Sequence, residues 1–129
     1  MFTTAAALAS YARSSATNAS PHETVRMAYD RVITACDRAE LAECSRSGDW
    51  RQTFHDETVR ARAILVELCA GLSLQHRDPE IVALAQRLDS LYRYSIEQLV
   101  DSNMHKSVEP LHAVRMVINS IRHAWVLTR

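Results

Sequence analysis

Apolar residues recur along this chain in four stretches, each alternating steps of four and three positions. The first stretch carries Val25, Tyr29, Val32, Cys36 and Ala39, and the second Phe54, Thr58, Ala61, Leu65, Leu68 and Leu72. The third carries Ile81, Leu84, Leu88, Leu91, Ser95 and Leu99, and the fourth Leu111, Val114, Ile118, Ile121 and Trp125. That spacing keeps one stripe of an α-helix on one side, so each stretch predicts an amphipathic helix with an inward seam. The punctuation between them agrees. Ser20-Pro21-His22-Glu23 supplies an N-cap serine, a proline at the first helical position and a capping-box glutamate, predicting a helix from there to about Ser45, with Gly48 as the stop. Asp49 is placed to cap the second helix, and Asp78-Pro79-Glu80 caps and opens the third after the pattern lapses at Gln75 to Arg77. Asp101 to Lys106 reads as a connection, after which Ser107 opens the last helix with Pro110 in its first turn.

Four seams joined by short connections are buried together by an all-α, antiparallel up-down four-helix bundle. A single domain over residues 1–129 is expected, with the bundle in residues 20–127. Ahead of it, an Ala-rich stretch from about Thr4 to Arg13 predicts a short additional N-terminal helix carrying Leu8 and Tyr11 on one face. Ser14 to Ala19 reads as a flexible hinge within this 1–19 segment.

Composition reinforces the helical reading, since glycine occurs only 2 times and proline 3 times. The 15 basic and 15 acidic residues cancel, so nothing in the net charge calls for nucleic acid or an anionic membrane. Cys36, Cys44 and Cys69 form no CxxC pair and leave an odd thiol, a usage suited to a reducing cytosol, with the thiols as small helix fillers. Met1 to Ser10 lack the basic start of a secretory signal, and no stretch is long enough to span a bilayer, so a soluble protein of the cell interior is expected.

Some apolar residues fall beside the seams. With Leu88 at the centre of the third stripe, Ile96 lies roughly 80° to one side and Val82 and Val100 roughly 120° to that same side. Val117 on the fourth helix and Ile33 on the first each fall roughly 100° from the seam residue beside them. They either broaden the core stripe or line a groove. Glu109-Pro110-Leu111-His112 spells the Glu-x-x-His pair of di-iron bundles, but the second copy such sites require is missing, so no metal is expected. No Gly-rich phosphate loop or nucleophile elbow appears, and no catalytic residue is assigned.

The stretch Ala19-Ser20-Pro21-His22, continuing to Met27-Ala28-Tyr29-Asp30, resembles a family pattern of a Ser-Pro cap followed by an apolar helix with a Leu-Tyr-Asp/Glu step. Leu91-Tyr92-Arg93-Tyr94-Ser95-Ile96-Glu97-Gln98-Leu99, Asn103 and the closing Ile121-Arg122-His123-Ala124-Trp125 resemble the C-terminal half of the same family, the flagellin export chaperones of the FliS type. The resemblance runs from about Tyr11 to Trp125. Ala28 stands where the family commonly has leucine, and His76-Arg77-Asp78-Pro79 replaces its usual Gly-rich stretch.

The resemblance implies a non-enzymatic chaperone of the bacterial cytosol, without nucleotide, metal or other cofactor. It implies that the chaperone holds the disordered C-terminal segment of flagellin, prevents premature polymerisation and delivers the segment to the flagellar type III export gate. On this reading Leu8 and Tyr11 act as cover or contact, with Tyr29, Ile33, Tyr92, Ile96, Val100 and Val117 on the groove walls. Nucleic acid and stable membrane insertion are not expected, and monomer and homodimer both stay open. Two other readings remain: a histidine phosphotransfer-like signalling bundle, and an adaptor bundle that self-associates through Val82, Ile96 and Val100.

Overall fold

A computed structural model describes residues 21–128. They form α1 (Pro21–Ser45), α2 (Trp50–Ala70), α3 (Pro79–His105) and α4 (Glu109–Val126). Each helix packs on its neighbours in sequence, and α4 closes against α1. With short turns between them, the four run alternately up and down around one core, as the seams require. The expected short helix with Leu8 and Tyr11, and the hinge after it, lie outside the described residues.

The boundaries follow from local chemistry, with two departures from expectation. Asp78 caps α3 as its sequence suggests, Oδ1 accepting the Glu80 N–H at 2.9 Å, with Pro79 behind it. Asp49 does not cap α2 through its side chain; its carbonyl instead accepts the Thr53 N–H at 3.1 Å. The turn before it places Arg46 and Gly48 at φ 48° and 59°, a left-handed path that glycine adopts at little cost. Helix α3 runs one turn past the expected Asp101, to His105. There Lys106 turns left-handed at φ 51° and donates from Nζ to the carbonyl and the side-chain oxygen of Asn103, both at 2.7 Å. Ser107 therefore ends the turn and opens nothing. Its carbonyl accepts the Ser102 hydroxyl at 2.6 Å, and α4 starts at Glu109.

The core is built from the seams: Val32 and Ala39 of α1, Phe54, Ala61 and Leu65 of α2, Ile81, Leu88 and Leu99 of α3, and Leu111, Val114 and Ile118 of α4 are all buried. Truncating one of these aliphatic chains to alanine removes apolar burial and leaves a cavity, at a cost of about 2–5 kcal/mol. The hydroxyls inside are satisfied locally. Ser95 donates to the Leu91 carbonyl at 2.9 Å, and Thr58 reaches the carbonyls of Phe54 and His55. One end of the bundle is closed by aromatic residues. Trp125 Nε1 donates to the His22 carbonyl at 2.8 Å, the His22 ring stacks on the indole at 5.1 Å, and Tyr29 meets Trp125 edge-on at 6.1 Å.

Candidate functional site

Each helix of a square bundle has two flanks, one toward each neighbour, and the chemistry of those flanks divides this molecule. On the α1–α4 side the contacts are ionic. Arg115 of α4 donates to Asp37 at 2.7 Å and also to Glu40, which His112 Nε2 approaches at 3.3 Å. Further along, Arg122 pairs with Asp30, whose second oxygen accepts from Arg26 at 2.7 Å. The Arg115 hydrogen bond, together with His112, holds the Glu40 carboxyl below its ordinary value, outweighing the opposing effect of partial burial. The exposed His112 thus joins a ladder of ionic and polar contacts running along α1 and α4.

The α2–α3 side is different. Its direction is fixed by Asn103 of α3 meeting His55 of α2 at 3.0 Å, and by Asp89 and Arg93 lying near Cys69. At about 100° per residue, Val82, Ile96 and Val100 fall on this flank of α3, and Val59 and Val66 fall on the facing flank of α2. Ile96 is half-buried against the core, whereas Val66 is 52 % and Val100 39 % exposed. Antiparallel pairing of His55 with Asn103 sets Val59 level with Val100, so Val59, Ile96 and Val100 form a shallow apolar strip along the α2–α3 junction, with the Asp89–Arg93 ion pair between it and Val82.

A second strip follows the other flank of α3. Val117 and Ala124 lie on the side of α4 away from Arg115 and His112, and so toward α3, where Leu91 and Tyr94 face them. Leu91 is 37 % and Tyr94 42 % exposed, and Val117 is half-buried. The spacing puts Leu91 on the inward seam, but it sits about 60° off Leu88 and is only partly covered. Helix α3 is thus bordered on both sides by apolar strips, while α1 is bordered on its α4 side by ion pairs.

The residues expected on groove walls are therefore not brought together in one place. Ile96 and Val100 share the α2–α3 strip, Val117 lies on the α3–α4 strip, and Ile33 lies on the charged α1–α4 side. Leu8 and Tyr11 are outside the described residues. Tyr29 and Tyr92 need correcting: they are 0 % and 2 % exposed, and their hydroxyls bond to each other at 2.6 Å inside the core. Tyrosine at these positions lets two large rings fill the centre while each hydroxyl keeps a buried partner, which phenylalanine does not offer. The sequence reading missed Val59, Val66, Leu91 and Tyr94 as surface residues. The signal that would have found them is angular, since each lies off the centre of its own seam.

Among the described residues no group of three or more His, Cys, Asp or Glu is placed to hold a metal ion, and no helix is long and apolar enough to cross a membrane. Burial pushes the Cys36 thiol up to about 12, against a weaker opposing pull from Arg115, which leaves it protonated and inert near neutrality. These strips offer apolar contact flanked by polar groups, the chemistry of segment recognition.

A protein-family model described as Flagellar protein FliS matches residues 4–128. The flagellar secretion chaperone FliS of Salmonella typhimurium (strain LT2) is 29% identical over 126 residues, covering 95% of this chain and 89% of that protein. With the match running through all four helices and both strips beside α3, the chain belongs to the FliS family of flagellar proteins.

Proposed function

We propose that this chain is a non-enzymatic export chaperone of the bacterial cytosol that holds the disordered C-terminal segment of flagellin along the apolar strips beside α3 and delivers it to the flagellar type III export apparatus. The carrying observation is the pair of strips itself: exposed Val66 and Val100 on one flank, exposed Leu91 and Tyr94 on the other. A segment that stays disordered until it assembles exposes apolar faces, and a rigid bundle with two parallel strips can cover them and so block self-assembly. Ordering the segment on binding opposes the contact energy, which keeps the complex releasable.

The division of labour among the flanks fits this reading. Charged pairs bind α1 to α4, whereas α3 carries branched and aromatic side chains at its edges. Tyr94 suits a rim position, because its ring provides contact area while its hydroxyl stays wet, at low entropic cost. Adding the flagellin C-terminal peptide should raise the helical circular-dichroism signal above the sum of the two free components and saturate at one peptide per chain. Spectra that simply add would count against the reading.

A further inference from the structure

On the α1–α2 side, away from both strips, lies a cleft of about 270 Å³ lined by Asp30, Arg31, Thr34, Arg38, Glu57 and Arg60. Two of its charges are unpaired. Asp30 is held by Arg26 and Arg122, but Arg31 and Arg38 make no hydrogen bond or ion pair among the described residues. Glu57 is only 9% exposed, and its buried Oε1 accepts no hydrogen bond; Arg60 Nε stops 4.0 Å away, beyond hydrogen-bond reach. A buried carboxylate oxygen without a donor is costly, and native proteins rarely keep one without use. Glu57 borders a cleft whose rim carries three guanidinium groups, of which Arg31 and Arg38 are unpaired among the described residues and Arg60 is paired only loosely with Glu57.

The two halves of the site ask for different things. Glu57 lacks an N–H or O–H donor at Oε1, and Arg31 and Arg38 lack carboxylate or similar acceptors in planar, paired geometry, with Arg60 beside them. A peptide carrying acidic side chains brings both at once, since its main-chain amides donate while its carboxylates accept. A polyphosphate or nucleic acid brings acceptors, but sets dense negative charge against the Glu57 carboxylate. We infer that the α1–α2 cleft is a docking site for an acidic peptide segment of a protein partner, with main-chain N–H groups meeting Glu57 and carboxylates pairing with Arg31, Arg38 and Arg60. The site shares no residue with the strips beside α3, so it goes beyond the client reading and leaves room for a second partner at the same time.

The test is fluorescence anisotropy on the full chain with a labelled, end-capped peptide of repeating aspartate, glycine, glutamate and serine at low salt. Saturable binding is expected, weakened at least about tenfold by R31E/R38E, as loss of charge-assisted pairs usually does. E57M read against E57Q is the discriminating comparison. Both remove the negative charge, but glutamine keeps an oxygen that accepts a main-chain N–H and methionine keeps none, so a built site binds several-fold more weakly in E57M than in E57Q, whereas a mere basic patch binds both alike. Arg31 and Arg38 are exposed and Glu57 has no hydrogen-bonded partner at Oε1, so these variants should keep the wild-type melting curve. Absence of saturable binding, indifference to R31E/R38E, binding by E57M equal to or tighter than that by E57Q, or an RNA oligonucleotide of equal length displacing the peptide would each overturn the proposal. Binding of the flagellin C-terminal peptide, measured on the same variants, should be unchanged. Its loss would merge the cleft with the client surface and overturn it as a separate site.

Discussion

Tyr29 and Tyr92 come from helices on opposite corners of the bundle, yet their hydroxyls meet at 2.6 Å inside it. Periodicity places both residues on their seams, but it cannot say whether a tyrosine on a seam ends at the rim or crosses the core. Only packing decides that, and here it sends both inward. Y92F removes one buried hydrogen bond and should cost about 1 kcal/mol in urea unfolding, with the Y29F/Y92F double variant costing less than the sum of the singles. Y29D, by contrast, buries a charge in an apolar core and should cost about 3 kcal/mol or more, seen as loss of the cooperative helical transition. Thiol chemistry gives an independent check on burial. Cys44 is exposed and Cys36 is buried with its pKa pushed up to about 12. Alkylation followed by mass spectrometry should therefore label Cys44 first and Cys36 only when the chain unfolds. Rapid labelling of Cys36 in the folded protein would contradict the packing.

Helix α1 shows how one element divides its faces between roles. Its seam fills the core, while Asp30, Asp37 and Glu40 reach α4 through Arg122 and Arg115. The Glu40 carboxyl is held below its ordinary value of 4.5, chiefly by Arg115. A carboxyl whose folded pKa is depressed stabilises the fold above its unfolded pKa and loses that contribution as pH falls through the lowered folded value. The stability gap between wild type and E40Q in urea unfolding should therefore be widest near neutrality and close as pH drops below 4.5. A gap independent of pH would mean that Glu40 acts through packing alone. At this scale much was legible in advance. The four seams, the Asp78-Pro79-Glu80 start and the order of the helices follow from spacing and capping chemistry. The errors arose where a side chain has alternatives: Asp49 leaves capping to its main chain, and Ser102 binds the Ser107 carbonyl, which lets α3 continue to His105.

Across the whole molecule, the sides of the bundle carry different chemistry: ion pairs between α1 and α4, an arginine-rimmed cleft between α1 and α2, and apolar strips on both flanks of α3. The sequence reading anticipated that some apolar residues lie outside the seams and identified Ile96, Val100 and Val117 among them. It could not assign each flank to a neighbouring helix, because that depends on which way the four-helix ring closes. Ile33 illustrates the difficulty: its angle from Val32 matches that of a groove residue, but it lies on the side that α4 covers with arginines. The central claim is that the strips beside α3 hold the client. It is tested most directly by calorimetric titration of the flagellin C-terminal peptide into the wild type and into V66D/V100D, two exposed positions on the facing flanks of α2 and α3. We expect saturable one-to-one binding by the wild type and a loss of about tenfold or more in the variant, with an unchanged melting curve. Equal affinity in the two proteins, or no binding by the wild type, would contradict the account.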